Sequence, residues 1–365
     1  MSNLEEDMQR LEEWADYRAV RNLEGRYSKV YSKLVPKLPP ELQPPISVSN
    51  AVLRLADIPE DCEQITHQQR LAYFKLIRDG LSDPSRKNHK AIAAELEQIP
   101  EKNLGYKQLL SSADRVFGAF HFLPKIEREI ILYQALQMID GFSEERFRNI
   151  PDTETFLEYC GCAGGLVGNI LTDLFKNKGY LDHLSDDEKV RMRSLGYSTG
   201  IAFQIANITK DIVKDYRDGR VFVPNDMLRQ NSLSAQSLAE TNPNNPEELD
   251  RAMCVRNHLE LLFRPHWEEG IKYLDNLQNK KIKRFVGDGL AYYTSTMHAT
   301  REPRLFLSPE DRKISAWSIF RIDRAVKHIA DEGKSLTPLM YYLMNHEIRG
   351  YRQAYKKNEI PGKML

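Results

Sequence analysis

An all-helical fold is predicted by three features of this sequence. Apolar residues recur at the i, i+3, i+4 spacing over most of its length, no alternation of strand and helix patterns is visible, and proline and glycine sit at the margins of the periodic runs. Taken in order, residues 4–35 are rich in Leu, Glu, Arg and Lys at helical spacing, and the PPELQPP segment at 39–45 predicts a stop. A second run starts at Ile46 and carries SVSNAVLRLADIPED, where Pro59 predicts a helix end or kink beside the carboxylates. Helices follow over 68–80 and 88–98, separated by the turn-like LSDPSRKN. Residues 122–142 carry proline near the start and glycine near the end of a further helix. Helices are then predicted over 153–178, 185–217, 246–278 and 280–299, with TNPNNPEELD as an exposed loop. A loop through REPRLFLSPED and two last helices complete the chain, and no internal repeat appears beyond two acidic segments.

Composition narrows the function classes. The 365 residues are 41% hydrophobic and 28% charged, with 52 basic against 52 acidic side chains, the balance of an ordinary globular protein. Net neutrality offers no general attraction to nucleic acid, so no nucleic-acid partner is expected. The start MSNLEEDMQRLEEWAD is acidic and unlike a secretory leader, and no apolar run approaches the roughly 20 residues of a membrane span. Four cysteines are too few for a disulfide scaffold, which predicts a cytoplasmic protein. Cys160 and Cys162 form a lone C-x-C without partners for a tetrahedral zinc set, and read as packed small residues. Gly161, Gly164, Gly165 and Gly168 around them predict close helix packing. No H-E-x-x-H, no G-x-G-x-x-G and no complete phosphate-binding loop occurs.

Two acidic clusters carry the chemistry. In the first, Arg54-Leu-Ala-Asp57-Ile-Pro-Glu60-Asp61, the residues Asp57 and Asp61 fall about 40° apart around a helix, and Arg54 lies three residues before Asp57. In the second, Asn207, Asp211 and Asp215 follow one another by four, so three oxygen ligands share one face while Ile208, Ile212 and Val213 occupy others. Spaced acids on a solvated helix are common, so the first pattern alone discriminates little. The second lies in an otherwise apolar helix and needs a compensating cation. Mg²⁺ fits that need, being a hard ion that takes carboxylate and amide oxygens, keeps several waters and bridges to phosphates. Helices facing one another across a pocket would then grip a diphosphate, with Arg54, Lys210 and Arg220 neutralising further oxygens. Such a site favours departure of diphosphate from an allylic carbon.

With these residues in view, the sequence resembles the squalene and phytoene synthase family. ADIPED looks like the family's first aspartate-rich motif, and QIANITKDIVKDYRDGRVFVP looks like its second. FLEYCGCAGGLVG, with Tyr159, resembles the family segment between them, and the resemblance covers about residues 27–225. It implies a single-domain, isoprenoid-synthase-like helical bundle around a central cavity over residues 1–365, with 1–20 and 301–365 as extensions. It also implies that Asp57, Asp61, Asp211 and Asp215 bind Mg²⁺ and diphosphate, that Asn207 assists the second metal cluster, and that Arg54 contacts diphosphate. Gln204 and Tyr159 would line the reaction cavity, where Tyr159 orients diphosphate or steers the carbocation. Ser28, Lys29 and Tyr31 stand in the early substrate-binding signature, where Val30 replaces a hydroxyl. Lys210 replaces the usual arginine, which keeps the charge and loses the planar fork. Asn50 stands where many members carry tyrosine.

The implied activity is 1′-1 condensation of two prenyl diphosphates of farnesyl or geranylgeranyl size through a cyclopropylcarbinyl diphosphate. The late segment GDGLAYYTSTMHATREP does not match the region expected of NADPH-using members, so NADPH is not inferred. The apolar product implies transient contact with a membrane surface. A class I terpene cyclase or atypical prenyltransferase using the same ionising centre is the first alternative. A helical scaffold without activity is the second, and the nearly complete second motif argues against it.

Overall fold

The computed structural model describes the backbone of residues 2–310 and 314–351, and the side chains of residues 14–310 and 314–351. Residues 311–313 and 352–365, which belong to the predicted C-terminal extension, lie outside the described residues, as does Met1 at the other end. The chain divides into two compact units, residues 1–145 with 170–182, and residues 146–169 with 183–365.

In the first unit, α1 (Ser2–Tyr27) ends earlier than the predicted 4–35 run, and a turn over Ser28–Val30 precedes α2 (Tyr31–Leu34). A serine hydroxyl competes for the backbone here, since Ser32 Oγ donates to the Lys29 carbonyl at 3.1 Å. The predicted stop at 39–45 is met at its edge, where the backbone of Leu38 and Pro39 is non-helical, and the rest of the segment is a start. After a 3₁₀ turn at Pro40–Leu42, α3 (Gln43–Asp61) begins with Pro44 and Pro45 in its first turn, where the missing N–H groups had no intrahelical partner to lose. α3 then runs through Pro59 to its end at Asp61.

Two effects make that end tolerable. Ile46, Val48, Val52, Leu55 and Ile58 are fully or almost fully buried, and each such side chain contributes roughly 1.5–3 kcal/mol. The terminal carbonyls also find a donor in the buried Arg70, whose Nε donates to the Pro59 carbonyl at 3.0 Å and Nη2 to that of Cys62 at 3.1 Å. Arg70 stands on α4 (His67–Ser82), opened by a Thr66–Gln69 capping box. α5 (Arg86–Leu96), α6 (Leu104–Leu110) and α7 (Ala113–Phe122) follow, and the helix expected over 122–142 begins after Pro124 as α8 (Lys125–Phe142). α3 packs against α1, α4, α6, α7 and α8, which makes it the central element of this unit.

In the second unit, the helix expected over 153–178 is α9 (Thr153–Cys160) and α10 (Leu166–Asn177), joined by a π-helical turn at Gly161–Gly165; from Ile170 onward the chain belongs to the first unit. α11 (Asp186–Arg217) opens on a Ser185–Glu188 capping box and matches the predicted 185–217. The glycines of the π turn lie against it: a side chain on Gly164 would overlap the Gly200 carbonyl oxygen, and one on Gly168 the Gly196 carbonyl oxygen. The sequence expectation of close packing holds, and burial pushes the Cys160 thiol well up, leaving it an inert packed residue.

After α11 come α12 (Asn225–Gln230) and α13 (Ala235–Ala239), and the polar strip ends at α14 (Pro246–Asp275), where Asn245 accepts from the N–H groups of Glu247 and Glu248. α15 (Lys280–Ala299), α16 (Pro303–Phe306) within the expected loop, α17 (Ala316–Asp331) and α18 (Thr337–Asn345) complete the unit. α11 is packed by α9, the π turn, α13, α14 and α15. Among the described residues there is no strand, only a single bridge between Asn149 and Val221. No described helix is long and apolar enough to cross a membrane.

Candidate active site

In the first unit, burial of α3 on most sides leaves Arg54, Asp57 and Asp61 as partly exposed polar groups on its last two turns. Arg54 Nη1 lies 3.0 Å from Asp57 Oδ2. The Arg54 guanidinium also stands over the Tyr106 ring, 5.5 Å from its centroid. Desolvation raises the Asp57 carboxyl, Arg54 opposes this and Asp61 adds to it, so that it is pushed up to about 6. Two carboxylates one turn apart in a desolvated setting repel, and a cation between them would relieve both. At Tyr106, Arg54 pulls the hydroxyl down, but burial with Asp61, Asp57 and Glu101 outweighs it and the net direction is up. Ser28 and Lys29 lie in the turn after α1 and Tyr31 opens α2, with Lys29 exposed and the other two partly so. Asn50, one turn before Arg54, donates to the buried Glu24 at 3.4 Å.

In the second unit, α11 presents Gln204, Asn207, Lys210 and Asp211 as partly exposed residues and Asp215 as a buried one, while Ile208, Ile212 and Val213 are buried as expected. Asn207 Nδ2 donates to the Tyr293 hydroxyl at 3.4 Å, and Tyr293 is stacked on Phe203 at 4.3 Å. Lys210 pairs with Asp211 Oδ2, whereas Asp211 Oδ1 is buried without a hydrogen-bond partner. The helix ends in a Schellman turn. Gly219, at φ +88°, takes the left-handed position, its N–H donates to the Tyr216 carbonyl at 3.0 Å, and the Arg220 N–H donates to the Asp215 carbonyl at 2.8 Å. This reversal brings Arg220 Nη2 to 2.7 Å from Asp215 Oδ1.

Two residues on, Phe222 stacks on Tyr159 at 4.9 Å, and Phe147 meets the same tyrosine edge-on at 5.5 Å. Tyr159 is only 3% exposed, so it is held by aromatic packing. A small cleft beside Asp215 and Arg220 is walled by Ile208, Ile212, Phe222 and Leu238. A second cleft, lined by Glu188, Arg191, Lys272 and Asp275, contains none of these groups.

The donor chemistry fits Mg²⁺. Among the described residues no three carboxylates, histidines or cysteines come together as a closed metal cage. Mg²⁺ does not require one, because it keeps waters and is commonly held by one or two carboxylates plus phosphate oxygens. Asp57 with Asp61, and Asp211 with Asp215 and Asn207, could each hold such an ion, and Asp211 Oδ1 is a buried oxygen lacking a hydrogen-bond partner.

The family model described as squalene/phytoene synthase matches residues 25–334. The chain belongs to the squalene/phytoene synthase family. The match extends well past residue 225, where the motif resemblance fades. Squalene synthase ERG9 of Gibberella zeae is 24% identical over 258 residues, covering 68% of this chain and 52% of that protein. Squalene synthase of Bos taurus is 25% identical over 234 residues, covering 64% of this chain and 51% of that protein. The chain thus spans about half the length of these curated relatives. The solved structure of TcSQS with a bound ligand superposes with a TM-score of 0.76 at 18% identity, covering 96% of this chain and 94% of that one. That likeness shows the all-helical isoprenoid-synthase fold expected from the squalene/phytoene synthase motifs.

Tyr106, Tyr293, Phe147 and Phe222 are the neighbours of these groups that sequence reasoning missed. Phe222 had a signal, since it stands inside the G-R-x-F-x-P segment. Tyr106 and Tyr293 had none, because each approaches its partner from a helix distant in sequence.

Proposed function

We propose that this protein catalyses Mg²⁺-dependent head-to-head (1′-1) condensation of two prenyl diphosphates of farnesyl or geranylgeranyl size. The observation that carries the reading is the Asn207–Asp211–Asp215 ridge on a packed helix, closed by Arg220 turning back onto Asp215. Membership of the squalene/phytoene synthase family supports it independently.

When bound, Mg²⁺ would neutralise the acidic ridges and the charge on diphosphate oxygens. Asp57 and Asp61 would hold it in the first unit, and Asp211 and Asp215, assisted by Asn207, would hold it in the second. Arg54 binds diphosphate oxygens in the first unit, with Ser28, Lys29 and Tyr31 as further substrate contacts, and Lys210 with Arg220 binds them in the second. As an allylic diphosphate leaves, its negative charge grows, and the cations beside it stabilise it more than they stabilise the bound substrate. The double bond of the second substrate captures the allylic cation, and loss of a proton closes a cyclopropylcarbinyl diphosphate. Gln204 lines the cavity, and Tyr159, buried between Phe222 and Phe147, supports its wall. A second ionisation and rearrangement gives an allylic cation that loses a proton to a dehydrosqualene- or phytoene-like hydrocarbon or, where a hydride donor such as NADPH is supplied, is reduced to a squalene-like one. We place the protein in the cytoplasm, with peripheral contact at a membrane surface where the apolar product leaves.

The test is product mass analysis of the purified chain with Mg²⁺ and each prenyl diphosphate from geranyl to geranylgeranyl, with and without NADPH. Two substrates consumed per product support condensation, whereas one per product selects a class I cyclase. No pyrophosphate release with any chain length would sink the reading.

A further inference from the structure

The contacts that hold Arg54 include two of different kinds. One is the ion pair to Asp57 at 3.0 Å, which engages an N–H edge of the guanidinium, and the other is the Tyr106 ring at 5.5 Å. An aromatic face attracts a guanidinium through its quadrupole and consumes none of its five N–H donors. A second carboxylate would hold the cation as firmly while occupying donors that an anion needs. Tyr106 is itself set by local structure. It lies in the first turn of α6, where Asn103 Oδ1 accepts from the N–H groups of Gly105 and Tyr106 at 2.8 and 3.3 Å. α6 in turn packs on α1 and α3, and Gly105 lies so close to the Arg26 carbonyl that a side chain there would overlap it.

We propose that Tyr106 is a positioning residue that holds the Arg54 guanidinium in place for a diphosphate group without spending its hydrogen-bond donors. This rests on the diphosphate-ionising reading above and adds to it a residue that the acidic motifs do not contain. Tyr106 does not touch the leaving group; it acts through Arg54. The aromatic ring is the required feature and the hydroxyl is dispensable.

The experiment titrates inorganic pyrophosphate into the full chain with Mg²⁺ by calorimetry, for the unaltered protein, Tyr106→Phe, Tyr106→Leu, Tyr106→Met, Arg54→Gln and Arg54→Gln with Tyr106→Leu, each checked for folding by thermal melting. Tyr106→Phe is expected to bind within about twofold of the unaltered protein, and Tyr106→Leu or Tyr106→Met to bind roughly three- to tenfold more weakly. In the Arg54→Gln background the leucine substitution is expected to add nothing. With farnesyl diphosphate as substrate, KM for Tyr106→Leu is expected to rise by the same factor. Unaltered pyrophosphate affinity in both the leucine and methionine variants, failure of phenylalanine to preserve binding, or an equal loss with and without Arg54 would each overturn the proposal while leaving the proposed reaction standing. If leucine does not fold, methionine decides. Absence of pyrophosphate binding by the unaltered protein would overturn both.

Discussion

Arg220 grips Asp215 twice: its backbone N–H donates to the Asp215 carbonyl at 2.8 Å, and its Nη2 lies 2.7 Å from the Asp215 carboxylate. Both contacts depend on one residue, Gly219, which reverses the chain at φ +88°. An alanine there carries a Cβ that crowds the following carbonyl and costs about 1–2 kcal/mol. Gly219→Ala is therefore expected to lower stability by that amount in denaturant titration. Turnover is expected to fall by roughly tenfold, the equivalent of about 1.4 kcal/mol lost when Arg220 is displaced. Full activity in a correctly folded variant would show that the Arg220 position is immaterial.

Asp211 offers one oxygen to Lys210 and keeps the other buried without a hydrogen bond. Asp211→Asn keeps the shape and removes the charge, so folding should persist while pyrophosphate release from a prenyl diphosphate drops by roughly a hundredfold or more. Chelation of divalent ions should abolish the same release, and added Mg²⁺ should restore it. Undiminished release in the presence of chelator would contradict the assignment of metal ligands.

Stability at low pH should depend on Glu260, which receives Arg264 Nε at 3.1 Å and Arg301 Nη2 at 2.6 Å and pairs with the buried Arg256. Burial would raise this carboxyl, but the hydrogen bonds from Arg301 and Arg264 and the charge of Arg256 win, and hold it down at about 2. A folded value below the unfolded one, about 4.3, means the contribution is complete above that pH and is lost as pH falls toward 2. Glu260→Gln should flatten this acid limb. Near neutrality it should destabilise by about 3–5 kcal/mol, because Arg256 is left buried without its counter-charge. Acid unfolding followed by circular dichroism, with an unchanged pH midpoint in the variant, would refute this account.

Gly200 and Gly164 meet backbone to backbone, and a side chain on either would overlap the other's carbonyl oxygen. No flexible side chain can yield there. Gly200→Ala should cost about 1–3 kcal/mol or more through overpacking, measured as a lowered melting temperature. A Gly25→Ala control is expected to be mild, because the nearest atoms a methyl would meet there are 3.8 Å away.

Much of the helical layout was legible residue by residue. Helical periodicity is a local pattern, and α11, α14 and α15 begin within a residue of the predicted starts at 185, 246 and 280. The same locality explains the errors. Prolines at 44 and 45 read as a stop but serve as a first turn, and only the 3₁₀ turn before them distinguishes the cases. The glycines at 161–165 announced close packing, but not the π turn they form, which interrupts the single helix expected over 153–178. Helices α6 and α7 are short, and their positions come from packing on α1, α3 and α5.

Amino-acid order alone was enough to set Asn207, Asp211 and Asp215 on one helical face, to put Asp57 and Asp61 one turn apart, and to place the glycine that ends α11. These follow from backbone hydrogen bonds and φ preferences that act over about four residues. Folding in three dimensions chose the partners: Tyr106 under Arg54, Tyr293 against Asn207, Phe147 and Phe222 around Tyr159, and the burial that lifts the Asp57 carboxyl. Desolvation and ring contacts depend on which distant helices come together, and no spacing rule within one helix encodes that choice.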